Sequence, residues 1–271
     1  MIVNSIDTFK KYIPSAVNVS YEMVEDALMM AQEWLCNHIT SDAVIQEIKN
    51  GEDEKLLEIA ERAISTLAFY NCIPEIDLVL TEAGFAVVSS DNYTPASKQR
   101  VEQLRASMKV KSRKAIDLLV TYMNRNTESW RGSEQYQNIT KAFVCTIEEF
   151  KRRGGNLSDD TDWEQFEEII AKMSLYLHTQ VAAYISEEYI QELLEKYRDK
   201  ESIVSPEKNV LELIEDALCI STHSEESAHT RIMCALAMMR RDKESFPTWA
   251  ASEQAKGYTP DRSKSNVYSM L

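Results

Sequence analysis

The segment SIDTFKKYIP (residues 5–14) returns as TIEEFKRRGG (residues 146–155). Both read hydroxyl, Ile, acid, one variable residue, Phe, Lys, base. Each places a Ser or Thr ahead of a short amphipathic run with an acid in its first turn, the signature of a capped helix start. The residues downstream of each copy decide the fold. After the first comes NVSYEMVEDALMMAQEWLCNHI (18–39), in which Val24, Ala27, Leu28, Ala31, Trp34, Leu35 and His38 recur at helical spacing. After the second comes SDDTDWEQFEEIIAKMSLYLHTQVAAYI (158–185), where Phe166, Ile169, Ile170, Met173, Leu177 and Tyr184 form the stripe. Ser20 is the expected cap of the first long helix, and Thr161 with Glu164 the expected capping box of the second.

The parallel continues in order. ITSDAVIQEI (39–48) and ISEEYIQEL (185–193) share a hydroxyl cap, acids and I-Q-E-aliphatic, and LLEIAERAI (56–64) aligns with VLELIEDAL (210–218). Three ordered matches predict two related helical modules, 1–125 and 140–255, joined by a polar, aperiodic linker at 126–139 and succeeded by a flexible tail at 256–271. The expected fold class is mainly all-α. One small β-hairpin is expected near 77–89, in the first module only, because short β-prone runs flank Thr81-Glu82-Ala83-Gly84. Thr94-Pro95 then reads as the start of a helix running to about Met123.

Composition agrees. Only six Gly and six Pro occur in 271 residues, too few for a turn-rich β architecture. Five cysteines (36, 72, 145, 219, 234) form no C-x-x-C pair, and reduced, mostly buried thiols are expected. The start MIVNSIDTFKK lacks a signal-peptide apolar core, and no window approaches 18 apolar residues, so no membrane contact is expected and the expected location is cytoplasmic.

Motifs that carry chemistry are missing. No phosphate-cradling glycine loop and no nucleophile elbow is present. DDTDWE (159–164) has a calcium loop's acids without its central Gly, and helix capping accounts for it. Glu226-Ser-Ala-His229, with His223 and Glu225 nearby, is an E-x-x-H without the second copy a di-iron bundle needs. The expected catalytic, cofactor and metal residues are therefore none, and no enzyme is expected.

Charge layout is more informative. The net charge is −14, yet Lys98, Arg100, Arg105, Lys109, Lys111, Arg113 and Lys114 form a basic run broken only by Glu102. Residues 146–226 hold 20 acids against eight bases. A solvated face, a head-to-tail contact between copies, and a face turned to DNA phosphates are the three readings of that run. With the apolar hairpin residues Phe85, Val87 and Val88, the seven bases are the expected interaction surface. Reversing Lys109, Lys111, Arg113 and Lys114 to Glu is expected to abolish self-association without unfolding the chain.

The opening (Ile6, Phe9, Lys10, Ile13), the acid-rich helix ending in Ala31, Trp34 and Leu35, the further helices and the short hairpin together resemble the head–tail connector (adaptor) proteins of tailed phages and prophages, over residues 5–123. The resemblance implies a non-enzymatic structural protein that assembles as a ring and meets portal or tail proteins, located in the cytoplasm of a bacterial host or in the virion. The second module joins it only through the internal repeat. The alternative is a bacterial helical interaction or regulatory protein that binds a protein partner.

Overall fold

The computed structural model describes residues 1–16, 18–76, 78–81, 84–87 and 97–256, with the backbone alone at 75–76, 78–81 and 84–87. The fold is predominantly α. The chain divides into two compact units: Met1–Thr140 with Cys145–Glu149 and Leu157–Glu167, and Lys141–Val144 with Phe150–Asn156 and the chain from Glu168 onward.

In the first unit, α1 (Ile6–Tyr12), α2 (Glu25–His38), α3 (Asp42–Asn50) and α4 (Glu54–Ile76) lead to strands β1 (Leu78–Thr81) and β2 (Gly84–Val87), paired antiparallel with Leu78 opposite Val87. Helix α5 (Lys98–Asn126) returns along α4, and α6 (Glu128–Arg131) and α7 (Glu134–Thr140) come after it. The caps are local. Ser5 and Ser41 accept the amides of Thr8 and Val44, and Asp53 accepts those of Lys55 and Leu56. Gly51 ends α3 at φ 72°, a left-handed conformation that glycine adopts without strain. Core residues of α1, α2 and α4, among them Phe9, Leu28, Leu35, Leu56 and Ile64, are at most 1% exposed.

Helices α8 (Ile147–Arg152) and α9 (Trp163–Tyr176) begin in the first unit and end in the second. A π turn (Leu177–Val181) leads into α10 (Ala182–Ile185), and then come α11 (Glu187–Arg198), α12 (Glu207–Ser221), α13 (Glu225–Arg241), α14 (Pro247–Ala251) and α15 (Glu253–Lys256). Within the second unit α12 packs along α13. Arg153 pairs with the buried Glu215 and, at 3.4 Å, with Asp216.

Positions matched in the sequence share burial. Phe9 and Phe150 are fully buried, as are the pairs Val44 and Tyr189, Ile45 and Ile190, Ile48 and Leu193, Leu56 and Val210, and Ala63 and Ala217, each member at most 5% exposed. The caps match too: Thr146 accepts the Glu149 amide as Ser5 accepts that of Thr8, and Ser186 accepts that of Tyr189.

Four local expectations are corrected. Residues 126–139 are not an aperiodic linker: they carry α6 and most of α7, and Trp130 and Tyr136 are buried, with rings 5.0 Å apart. Helices of four and seven residues are too short to show a period. Ser20 does not cap α2, since a turn intervenes and the helix starts after Val24. The capping box of α9 is Asp162 with Gln165, each side chain accepting the other's backbone amide at 2.9 and 3.1 Å, one residue beyond Thr161 and Glu164. Tyr184 is 37% exposed rather than core, because the π turn inserts a residue and hands the buried positions to Val181 and Ile185. Thr94-Pro95 and all of the tail but Lys256 lie outside the described residues.

Candidate interaction surface

Consecutive residues of a helix point about 100° apart, so the basic run on α5 divides among several surroundings. Lys98 is exposed and sits 3.8 Å from Glu102, Arg100 is exposed, and Arg105 lies over the Tyr70 ring at 5.5 Å. Lys109 is 3.7 Å from Asp162. Lys111 and Lys114 are exposed and make no ion pair among the described residues.

Arg113 is a different kind of residue. Only 4% exposed, it donates from Nη1 to the carbonyls of Asp159 (3.2 Å) and Thr161 (3.5 Å), with Glu148 at 4.0 Å from Nη2. Trp163 Nε1 donates back to the Arg113 carbonyl at 3.4 Å. Arg113 therefore belongs to the interior, holding the 157–167 segment on α5, and not to an interaction face. Reversal at Arg113 would bury an unpaired carboxylate and unfold the unit, so the fourfold reversal expected to leave the fold intact is corrected.

One turn on, Asp117 is 5% exposed and accepts the amides of Ile147 (3.3 Å) and Glu148 (2.9 Å). Burial raises its pKa from 3.8 to about 7, against the two amides and Arg113, which favour the charged form. Folded chain thus binds a proton more tightly than unfolded chain, and the stability this contributes below about pH 4 is lost as pH rises toward about 7. Asp117→Asn is expected to flatten that fall. The stability of the variant relative to the parent should rise with pH across this window by on the order of 2–4 kcal/mol, read from urea midpoints. A relative stability that drops as pH rises would contradict the assignment.

Lys111 and Lys114 open onto a cleft of ≈ 850 Å³ that α1, α4 and α5 build together. Lys11 of α1 and Arg62 of α4 join them, lying 5.0 and 5.7 Å from the Tyr12 ring. Tyr12, Ala115 and Leu118 give the cleft an apolar floor, and Glu58, Asp117 and Glu148 also line it. Glu58 is engaged by Lys55 and Arg62 at 3.3 and 3.5 Å. Sequence reasoning missed Lys11 and Arg62, which carry no linear signal tying them to a run on another helix.

A second, apolar cleft of ≈ 310 Å³ lies among Met30, Trp34, Leu67, Tyr70, Ile116 and Trp163. Trp34 stacks on His38 at 4.8 Å and donates to Glu164 at 3.0 Å, and His38 Nδ1 lies 3.1 Å from Glu167. Phe85 and Val87 fall in β2, where the backbone alone is described, and Val88 lies outside the described residues. His229 of the E-x-x-H stretch packs its ring 5.2 Å from Tyr184, and among the described residues no group of His, Cys, Asp and Glu is arranged to hold a metal ion. No described helix is long and apolar enough to cross a membrane.

The family described as "Family of unknown function (DUF6712)" matches residues 18–140. The match stops at Thr140, where the continuous run of the first unit also stops, and it includes α2, α4 and α5. No curated protein and no solved structure matches the chain.

Proposed function

We propose that the chain is a non-enzymatic assembly protein of the head–tail connector type, built from a duplicated helical module and working through contacts with proteins. The cleft between α1, α4 and α5 carries this reading. Cations from three helices converge there around an apolar floor, and two of them, Lys111 and Lys114, are unpaired among the described residues. Cations rimming apolar side chains suit an acidic protein surface, where the charges guide encounter and the floor supplies burial. The resemblance over residues 5–123 supplies the kind of partner, a portal or tail protein.

The test is copurification. Genes for portal, capsid and tail proteins are expected beside this one, and the tagged full chain should retain the portal or tail product when co-expressed with it. Lys111→Glu with Lys114→Glu should cut the retained partner at least tenfold while leaving the circular dichroism spectrum unchanged, since both side chains are exposed. A chain that retains neither product, or whose neighbours encode no phage structure, is not a connector, and the interaction or regulatory reading replaces it. Retention of DNA in place of protein would assign the cleft to phosphates.

A further inference from the structure

Helix α2 exposes more apolar surface than its place in the core explains. Its inner face is already used, with Val24, Leu28, Ala31 and Leu35 buried. A second row on the helix at spacings of three and four (Ala27, Met30, Trp34) is half-exposed or exposed, with Met29 beside it and Met23 in the turn just before the helix. Met23, Met29 and Met30 are 53%, 53% and 61% exposed, and Met30 and Trp34 lead into the apolar cleft with Leu67 and Tyr70. Unbranched thioethers clustered in water are the mark of an adaptable contact surface. The flank is acidic: Glu22, Asp26 and Glu33 are exposed, and Asp26 and Glu33 have no ion pair among the described residues.

The complement lies on the same unit. Every residue from Lys98 to Ser107 on α5 is exposed or half-exposed, whereas buried positions begin at Met108. Val101 and Leu104 fall three and four residues apart in line with Met108, so the core-facing stripe runs on past the core, and Leu104 is 38% exposed. Lys98, Arg100 and Arg105 make the overhang basic. Bases in the first turns oppose the helix dipole, no acid stands in the first turn, and Ser97 makes no side-chain capping bond. Among the described residues the local support of this end is the exposed Lys98–Glu102 pair and the Arg105 contact with the Tyr70 ring, which leaves Arg100 open to acids from outside. At 1.5 Å per residue the overhang is about 15 Å long, which fits along the roughly 21 Å of α2.

We propose that the first three turns of α5 from one copy of this chain seat on the methionine face of α2 of the next copy. Both surfaces are open within one unit, so a second copy supplies what each lacks in charge and in apolar cover. The contact is heterologous, one patch meeting a different patch, and repeats into a ring where the rotation closes. This inference rests on the assembly reading above and names its self-contact.

Disulfide trapping tests it. Full-length chains carrying Cys36→Ser and Cys234→Ser are prepared with either Met30→Cys or Leu104→Cys, mixed at low salt and oxidised. The expected product is a disulfide-linked dimer that requires both chains, is suppressed at high salt, and exceeds at least tenfold the yield with Met233→Cys in place of Met30→Cys, since Met233 is exposed on the second unit. No dimer, or a dimer equally abundant with Met233→Cys, overturns the seat. Should copurification with portal or tail protein succeed while trapping fails, the assembly reading stands and the seat alone is lost. If Met30→Asp abolishes that copurification without any trapped dimer, the face receives the other protein and the self-contact is overturned.

Discussion

Replacing Arg113 by Met should destabilise the chain by about 3 kcal/mol, whereas Lys111→Met and Lys114→Met should each stay within about 0.5 kcal/mol of the parent. The three residues lie within four positions of one helix and look alike in the sequence. Arg113 is buried, its guanidinium bonded to the carbonyls of Asp159 and Thr161, and its charge favours the ionised form of the buried Asp117 one turn on. Methionine fills much of the volume and cannot donate, so two carbonyls lose a charge-assisted donor and Asp117 loses a favourable charge. Urea unfolding monitored by circular dichroism reads the loss as a shifted midpoint. Equal, small effects at all three positions would mean that the basic run is a uniform solvated face.

Trp130→Ala should cost about 3–5 kcal/mol, the range for removing a fully buried aromatic side chain. Trp130 is fully buried, meets Tyr136 edge-on at 5.0 Å, and donates from its indole nitrogen to the Ile39 carbonyl at 2.8 Å, across 91 residues of sequence. Alanine leaves both a cavity and an unsatisfied buried carbonyl. Trp130→Phe keeps most of the packing and removes the donor, so its expected cost is smaller, about 1–3 kcal/mol. A change below about 0.5 kcal/mol for the alanine variant, as a linker residue would give, would contradict the placement of α6 in the core.

These two residues also show where the sequence was legible. The long helices could be read because a stripe such as Val24, Leu28, Ala31 and Leu35 repeats over several turns, and because Phe9 and Phe150, or Ile45 and Ile190, are buried residues at positions matched in the sequence. Trp130 could not be read, since α6 has four residues and its burial depends on Ile39, far away in sequence. Tyr184 was misplaced by a single inserted residue in the π turn, and the capping box of α9 by one position, because SDDTD offers several adjacent oxygen-bearing side chains that compete for the role.

The proposed interaction surface was half legible for the same reason. A count of bases along α5 finds Lys111 and Lys114 but cannot tell them from Arg113, and it cannot bring in Lys11 and Arg62 from other helices. The methionine face of α2 was present in the sequence as Met23, Met29 and Met30. It was obscured by the overlapping inner stripe, which at helical spacing also takes in Ala27 and Trp34.

Negative-stain electron microscopy of the chain co-expressed with a phage portal or tail protein is the direct test of the proposed assembly. Several copies of this chain are expected in a closed ring on one face of that partner, with loss of the ring in Lys111→Glu with Lys114→Glu. Single copies bound without mutual contact, or a partner bearing no copy at all, would contradict it.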